Sequence, residues 1–179
     1  RLEKFNMDGA LGVNYIQEGL QPNLWRPMTD NDIANKHWER CATWQSAGSR
    51  MKLEDISYQL DNNKQLATIH ATYAMEEQES MLQTTYHIRP NGAVKVAMHF
   101  VPGNKPLPEM PRLGMRMVLN AQYDVMTWLG RGPHENYADR KTSAFIGKYT
   151  ATVWDQFFPY VRAQETANKS DVRWVALRN

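Results

Sequence analysis

The sequence predicts an all-β fold, an antiparallel β-sandwich with one short helix. From Met51 onward, apolar and polar residues alternate with the period of two that is typical of half-buried strands. Turn signals interrupt this alternation at short intervals, as in sandwiches. Six tryptophans and eight tyrosines also suit a β-rich core or a platform for carbohydrate. The 179 residues provide for one core-bearing domain, and no repeat or flexible linker divides them.

The amino-terminal part predicts a strand followed by a loop. A strand-like run begins near residue 11 and is predicted to turn at Gly19. The chain then continues as a loop punctuated by Pro22 and Pro27, because proline fixes φ and disfavours helix in the preceding residue. Residues 1–10 contain no apolar stretch of the secretory type, and because the chain begins at Arg1 we expect it to be a piece of something longer.

Residues 34–48 are predicted to form the one helix. Trp38, Cys41 and Trp44 recur there at helical spacing, and Gly48 is placed to end the helix. The stretch just before it looks like part of a calcium loop, yet it lacks the glycine and distal glutamate of an EF-hand, so we interpret it as a helix cap. The predicted capping residues are Asp30, Asn31 or Asp32.

The remaining predicted elements are strands. Residues 67–75 alternate apolar and polar positions, and the acidic tip at residues 76–79 is interpreted as a solvated hairpin end. Asn91-Gly92 predicts a tight hairpin turn. Residues 112–130 predict two further strands, broken near Asn120.

Composition excludes several classes of partner and site. The net charge is +2, from 21 basic and 19 acidic residues, and the basic residues are scattered, so we expect no nucleic-acid partner. No apolar run approaches the length that spans a bilayer, so we expect no membrane partner. The single cysteine, Cys41, rules out an internal disulfide and a multi-cysteine zinc site, and we interpret it as a small buried apolar residue.

The stretch "WLGRGPHENYADR" at residues 128–140 has two possible functions. As catalytic machinery, Glu135 and Asp139 could approach the spacing of a glycosidase carboxyl pair on one helical turn. However, Arg131 and Arg140 flank them, and positive charge favours the ionised carboxylate over the protonated general acid.

A structural interpretation explains more of these residues. Gly130 and Gly132 permit backbone geometry that is closed to other residues, and Trp128 anchors the strand end in the core. Asn136 can satisfy loop amides, while Asp139 and Arg140 can make charge-assisted hydrogen bonds. We therefore predict a braced corner. A structural role is also predicted for the five histidines, which are His37, His70, His87, His99 and His134.

Three separated elements resemble one known family. They are "NLWRPMTDND" at residues 23–32, the corner with its continuation at 128–149, and "PYVRAQETANKSDVRWVAL" at 159–177. Their order and spacing resemble the carboxy-terminal small-chain domain, domain 5, of the large bacterial β-galactosidases of glycoside hydrolase family 2. The resemblance implies an antiparallel β-supersandwich of the galactose mutarotase-like type. It also implies that residues 1–179 are the N-terminal and central part of that domain, incomplete at its late end, without the catalytic TIM barrel.

The resemblance implies a catalytic function for the parent enzyme and a non-catalytic one for this chain. Such enzymes remove terminal non-reducing β-D-galactose with retention, using two glutamates on the barrel. This chain would then contain no catalytic residue, no metal ligand and no cofactor, since the family's magnesium and sodium ligands lie in other domains. Its partners would be a galactoside through the parent, the upstream barrel, and a second copy in a homo-oligomer. Residues 163–167 depart from the family pattern by losing a proline and a glycine.

We expect one set of residues to hold loops that face the barrel and so support the sugar pocket indirectly. They are Arg26, Asp30, Asp32, Glu135, Asn136, Tyr137 and Arg140. Two alternatives stay open. An aldose 1-epimerase would use His134 and Glu135 as its acid and base. A carbohydrate-binding module would use exposed tryptophans such as Trp25 or Trp154, with three or more coplanar rings in one groove.

Overall fold

The computed structural model describes residues 15–179, which form an antiparallel β structure with short helices. The prediction of an all-β antiparallel fold is confirmed, and the arrangement is consistent with a sandwich. The strands of the described part are β1 (Ile16–Asn23), β2 (Lys52–Leu60), β3 (Ala67–Met75), β4 (Ser80–Ile88), β5 (Val94–Val101), β6 (Gly114–Leu119), β7 (Val125–Gly132), β8 (Phe145–Thr152) and β9 (Trp174–Arg178). The helices are α1 (Asp30–Ala34), α2 (His37–Arg40) and α3 (Ala47–Arg50), with 3-10 turns at Ala42–Trp44, Glu76–Gln78 and Trp154–Gln156.

These strands form three sheets. The first pairs β1 with β6, the second has the order β2-β3-β4-β5, and the third has the order β8-β7-β9. Every pairing is antiparallel. In the third sheet β7 is central, which places the start of the residue 128–140 corner between two neighbouring strands. No helix within residues 15–179 combines the length and apolar character needed to cross a membrane.

The four-stranded sheet forms where the sequence predicts it. Residues 67–75 are β3, and the hairpin at Asn91-Gly92 joins β4 to β5. Gly92 takes φ 83°, in the left-handed region that glycine tolerates best, and its amide donates to the Arg89 carbonyl at 3.0 Å. The break near Asn120 is also confirmed, since β6 ends at Leu119 and the Tyr123 amide donates to the Asn120 carbonyl at 3.0 Å.

The predicted helix over residues 34–48 is wrong. This stretch holds short helical segments, because Lys36 adopts a left-handed φ of 56° that ends α1 and starts α2 in a new direction. The predicted caps are also wrong: Thr29 is the N-cap, and Asp32 completes a capping box with it. Gly48 lies inside α3. Breaking the helix lets Trp44 enter the core while Trp38 stays 50% exposed.

The predicted turn at Gly19 is also wrong. Gly19 lies inside β1, whose register against β6 shifts twice between Ile16 and Gln21. These irregularities bend the strand without reversing it. Residues 11–14, at the start of the predicted strand-like run, lie outside the described residues.

The main core lies between the short helices and the four-stranded sheet. Its buried members are Leu24, Cys41, Trp44, Ala47, Met75 and Leu82. Cys41 is fully buried, as predicted. The Trp44 indole Nε1 donates to the Pro108 carbonyl at 3.1 Å, and its ring meets Phe100 edge-on at 5.8 Å. Burying a ring of this size stabilises the fold by roughly 1.5–3 kcal/mol.

The acidic tip is more than a solvated hairpin end. Glu76 and Glu77 form exposed ion pairs with Lys52 and Arg50. Gln78, by contrast, is only 2% exposed, and its Nε2 donates to the Thr43 carbonyl at 2.8 Å. The tip is therefore anchored to the segment between α2 and α3 by a buried amide.

Candidate functional site

The corner at residues 128–140 begins with a buried tryptophan. Trp128, in the central strand β7, is 2% exposed, and its Nε1 donates to the Arg131 carbonyl at 3.0 Å. Its ring lies 5.4 Å from the Tyr149 ring, and the Lys169 ammonium lies 5.1 Å above its face. Burial lowers the pKa of Lys169, with the charge of Glu135 opposing the shift. Trp128 therefore anchors the strand end, as predicted.

The two corner glycines are required for close approach. The described part of the chain shows neither Gly130 nor Gly132 at positive φ, so the prediction of special backbone geometry is wrong. A Cβ at Gly130 would lie 2.9 Å from the Cα of Val172, and one at Gly132 would lie 2.8 Å from a ring carbon of Tyr149. At both positions, nearby residues of the same chain occupy the space that a side chain would need.

Asn136 is the centre of the corner. It is fully buried, and its Nδ2 donates to the His134 carbonyl at 3.0 Å while its Oδ1 accepts from the Ser170 amide at 2.9 Å and from the Ser170 hydroxyl. Its backbone exchanges hydrogen bonds with Asn168, at 2.9 and 2.7 Å. The prediction that Asn136 satisfies loop amides is borne out by these contacts.

Glu135 joins the same segment to the corner from the other side. Its Oε2 accepts from the Ala167 amide at 3.0 Å, and its Oε1 accepts from Arg140 Nη2 at 3.0 Å. Arg140 also donates to the Tyr160 hydroxyl at 3.1 Å and lies 5.2 Å from the Tyr137 ring centroid. The side chain of Glu135 is only 10% exposed, so a mostly buried carboxylate is matched by two donors.

A third link between the corner and the segment around residue 170 is an ion pair. Arg131 Nε donates to Asp171 Oδ2 at 2.6 Å, and Arg131 Nη1 donates to the Lys141 and Ala144 carbonyls at 3.1 and 2.7 Å. The Lys141 ammonium lies 3.3 Å from the same Asp171 oxygen. The hydrogen bonds from Arg131 and Lys141 hold the pKa of Asp171 below its usual range.

The element at residues 23–32 contributes a second ion pair, between an arginine and an aspartate. Arg26 approaches Asp32 with two nitrogens, at 2.6 and 3.0 Å. Thr29 donates to Asp32 Oδ2 from its amide and its hydroxyl, both at 2.9 Å. Burial opposes ionisation of Asp32, but these hydrogen bonds and the charge of Arg26 outweigh it, so its pKa lies below the usual value.

The three separated elements meet. The Asp30 amide donates to the Ala163 carbonyl at 2.8 Å, and Arg162 donates to the Asp30 carboxylate at 3.1 Å. Residues 159–171 therefore contact residues 23–32 on one side and residues 128–140 on the other. They form a strap between two parts of the chain that lie about a hundred positions apart in sequence.

Two open clefts flank this strap. The aromatic cleft, of about 600 Å³, has aromatic rings on six of its fifteen lining residues. Its lining includes Trp128, His134, Glu135, Arg140, Tyr149, Phe157, Phe158 and Tyr160. The polar cleft, of about 560 Å³, is lined mainly by polar groups. Its lining includes Arg26, Thr29, Asp32, Tyr137, Asp139, Arg140, Tyr160 and Glu165. Arg140 and Tyr160 line both clefts.

Tyr137 presents a buried phenol beside the polar cleft. Its hydroxyl has no hydrogen-bond partner among residues 15–179. Burial raises the pKa of Tyr137, and the charges of Glu135 and Glu165 add to the shift. The phenol therefore stays protonated and can donate a hydrogen bond.

Comparison with known proteins shows the family of this chain. A family profile described as "Beta galactosidase small chain" matches residues 1–179. The chain belongs to the beta galactosidase small chain family. It is 38% identical over 164 residues to a beta-galactosidase of Priestia megaterium, covering 92% of this chain and 16% of that protein.

Other relatives give the same coverage. A beta-galactosidase of Lactobacillus delbrueckii subsp. bulgaricus is 31% identical over 166 residues, covering 93% of this chain and 16% of that protein. One of Vibrio cholerae is 31% identical over 172 residues, covering 90% of this chain and 17% of the relative. The small-chain region described here therefore spans less than a fifth of the length of these relatives.

The seven predicted site residues of this small chain all lie beside the strap. Four line the polar cleft, and they are Arg26, Asp32, Tyr137 and Arg140. Glu135 lines the aromatic cleft, Asn136 is buried, and Asp30 is tied to Arg162. The Arg131–Asp171 pair was not predicted as part of the site, and neither was the Asn136 contact with Ser170. The spacing within one motif gives no signal for a partner that lies 34–40 positions away.

The two catalytic pairs considered from the sequence are arranged differently in the structure. Glu135 lines the aromatic cleft and Asp139 the polar cleft, and Asp139 is exposed and forms no ion pair within residues 15–179, so the two carboxylates do not line one common cleft. His134 and Glu135 do share the aromatic cleft, and His134 Nε2 lies 3.2 Å from the Ser143 hydroxyl.

Within residues 15–179, the two ring pairs of the aromatic cleft are not coplanar, as a binding platform would require. Trp128 and Tyr149 are inclined by 34°, and Phe158 and Tyr160 by 59°. Trp25 packs against the main core, whereas Trp154 is 81% exposed.

Proposed function

We propose that this chain is a non-catalytic β-sandwich portion of a β-galactosidase that hydrolyses terminal non-reducing β-D-galactose with retention of configuration. The observation that carries the proposal is that the carboxylates of the site are engaged in ion pairs and hydrogen bonds within the chain. Asp32, Glu135 and Asp171 are each held by cationic side chains and hydrogen-bond donors. Carboxylates in this setting brace loops.

The chemistry of a retaining glycosidase supports this assignment. Such an enzyme needs a nucleophile and an acid/base about 5–5.5 Å apart across the sugar, and the acid must have a raised pKa. Here the pKa values of Asp32 and Asp171 are both lowered. We therefore place both catalytic glutamates, and any magnesium or sodium ion that serves the reaction, in other parts of the parent enzyme.

The role we propose for the strap is to hold the two clefts in shape against the parent's barrel domain. Arg140 lines both clefts and donates hydrogen bonds to Glu135 and Tyr160. A shift of the loop at one cleft would therefore displace residues that line the other cleft. Phe157 and Phe158, which line the aromatic cleft, are 65% and 55% exposed. Exposed rings beside a cleft indicate a surface that packs against further protein. Substrate contact through this chain would be indirect, and a homo-oligomer of the parent would form through other surfaces.

A second candidate function follows from two residues that line one cleft. Because His134 and Glu135 line one cleft, the chain could act as an aldose 1-epimerase on a galactose mutarotase-like supersandwich. This activity would show as accelerated mutarotation of D-galactose by the chain alone, abolished by His134→Gln. Against it, both oxygens of Glu135 are already occupied, one by Arg140 and the other by the Ala167 amide, which holds the side chain in place.

The proposal is tested by hydrolysis of a chromogenic β-galactoside. We expect turnover by the full-length enzyme and none by the 179-residue chain, with circular dichroism confirming that the chain is folded. The reason is that neither glutamate of the reaction lies in this chain. Turnover by the isolated chain, at a rate that Glu135→Gln reduces, would contradict the scaffold role and make the corner catalytic.

A further inference from the structure

A cluster of three metal-ligating side chains lies outside the strap and its clefts. A ring nitrogen of His37, the Sγ of Cys41 and a carboxylate oxygen of Glu109 all lie within 4.8 Å of one another. We propose that these three residues bind one divalent cation of the zinc class. The proposal stands on this geometry and does not depend on the function proposed above.

The local structure explains why two of the ligands face the same way. His37 begins α2 and Cys41 follows its end, so the two residues are four positions apart and lie on one face of the turn. The same separation places two histidines on one zinc ion in metalloprotease helices. Glu109 comes from the segment before β6 and is brought to α2 by its ion pair with Arg40.

His37 carries the strongest indication of a ligand. Its Nδ1 lies 3.4 Å from Asp32 Oδ1, while its Nε2 is buried and has no hydrogen-bond partner in the described part of the chain. A buried polar atom without a partner is rare in folded proteins and calls for an ion or a water. A histidine whose Nδ1 faces a carboxylate, leaving the Nε2 lone pair to the ion, is the usual arrangement around zinc. We therefore assign Nε2 as the ligand atom.

The other two residues provide a thiolate and a path from solvent. Cys41 is fully buried, whereas the Glu109 side chain is 54% exposed, so the cluster runs from the core to the surface. The Nε and Nη2 of Arg40 both donate to Oε1 of Glu109, which leaves Oε2 as the oxygen that can turn towards an ion. Glu109 is therefore the member of the cluster that solvent reaches.

The ligand types select the ion. Thiolate and imidazole suit zinc, whereas magnesium and calcium prefer oxygen ligands alone. Zinc binds sulfur at about 2.3 Å and nitrogen at about 2.0–2.1 Å in a tetrahedral site, so small side-chain rotations would close the cluster, with water as the fourth ligand. On binding, the Cys41 S–H bond breaks, its proton leaves to solvent, and a Zn–S bond forms. The bound ion would tie α2 to the segment before β6.

The first experiment measures zinc binding by the full-length protein with zinc chloride alone as the probe. Equilibrium dialysis compares the wild type with His37→Gln, Cys41→Ala and, as a matched control, Glu39→Gln, an exposed residue on the same helix. We expect one equivalent of zinc per chain to be lost in the first two variants and kept in the control. Equal zinc content in all four proteins would overturn the proposal.

A second experiment separates zinc ligation from a loss of folding. Cobalt(II) bound to a thiolate gives a ligand-to-metal charge-transfer absorption that reports the S–Co bond directly. We expect this band in the wild type and in Glu39→Gln, and not in Cys41→Ala, whose circular dichroism should match the wild type because alanine suits a small buried site. Absence of the band in the wild type, or its persistence in Cys41→Ala, would overturn the proposal.

Discussion

Replacing Trp128 by alanine is expected to lower the free energy of unfolding by about 3–5 kcal/mol, the range for deleting a large buried aromatic side chain. Trp128 is 2% exposed in the central strand of its sheet and packs against the Tyr149 ring at 5.4 Å. Alanine would leave a cavity beneath the corner and remove the donor to the Arg131 carbonyl. The measurement is urea unfolding of the chain, followed by circular dichroism.

Two further variants separate the contributions of this residue. Trp128→Phe keeps most of the packing and loses the indole donor, so we expect a smaller loss of about 1–3 kcal/mol, the cost of leaving a buried carbonyl unsatisfied. Trp154→Ala is the matched control, since Trp154 is 81% exposed, and its effect should stay within about 0.5 kcal/mol. If Trp128→Ala were no more destabilising than the control, Trp128 would not be the anchor of the corner.

Replacing Asn136 by alanine is the second large effect, and we expect a loss of about 2–4 kcal/mol in the free energy of unfolding. Alanine leaves the Ser170 amide and the His134 carbonyl without their present partners in a buried site. Each unsatisfied buried group costs about 1–3 kcal/mol. Proteolysis with trypsin should also become faster at Lys169, because the strap would no longer be held to the corner.

The controls for Asn136 lie in the same loop. Asp139→Asn changes an exposed residue and should alter the free energy of unfolding by no more than about 0.5 kcal/mol. Asn136→Asp keeps the oxygen that accepts from Ser170 and should be less damaging than alanine if that acceptor is the main tie. Equal stability of Asn136→Ala and Asp139→Asn would mean that the strap is held by other contacts.

Local patterns predicted the parts of the fold that local interactions determine. The alternation in residues 67–75 and the Asn91-Gly92 turn gave a strand and a hairpin where the structure has them. The helix over residues 34–48 was wrong because its apolar spacing is satisfied equally by short segments that change direction at Lys36. The need to bury Cys41 and Trp44 in a shared core, a tertiary requirement, decided between the two arrangements.

The sequence predicted which segments form the candidate site, but it did not predict the contacts between them. The three sequence elements were recognised from their order and spacing, and the structure brings them together through the strap. Their partners could not be predicted, because Arg131 reaches Asp171 across 40 positions and Asn136 reaches Ser170 across 34. The glycines of the corner show the same limit, since the neighbour that excludes a side chain at Gly130 is Val172.

The central claim is that the corner braces the parent enzyme without taking part in its chemistry, and Glu135→Gln in the full-length enzyme tests it most directly. Glutamine keeps an oxygen for the Ala167 amide but removes the charge that meets Arg140. We expect hydrolysis of a chromogenic β-galactoside to keep its pH profile, with kcat within about tenfold of the wild type. A fall in kcat of about 10²–10⁴-fold with loss of one limb of the pH profile, the signature of a missing general acid or base, would contradict the account.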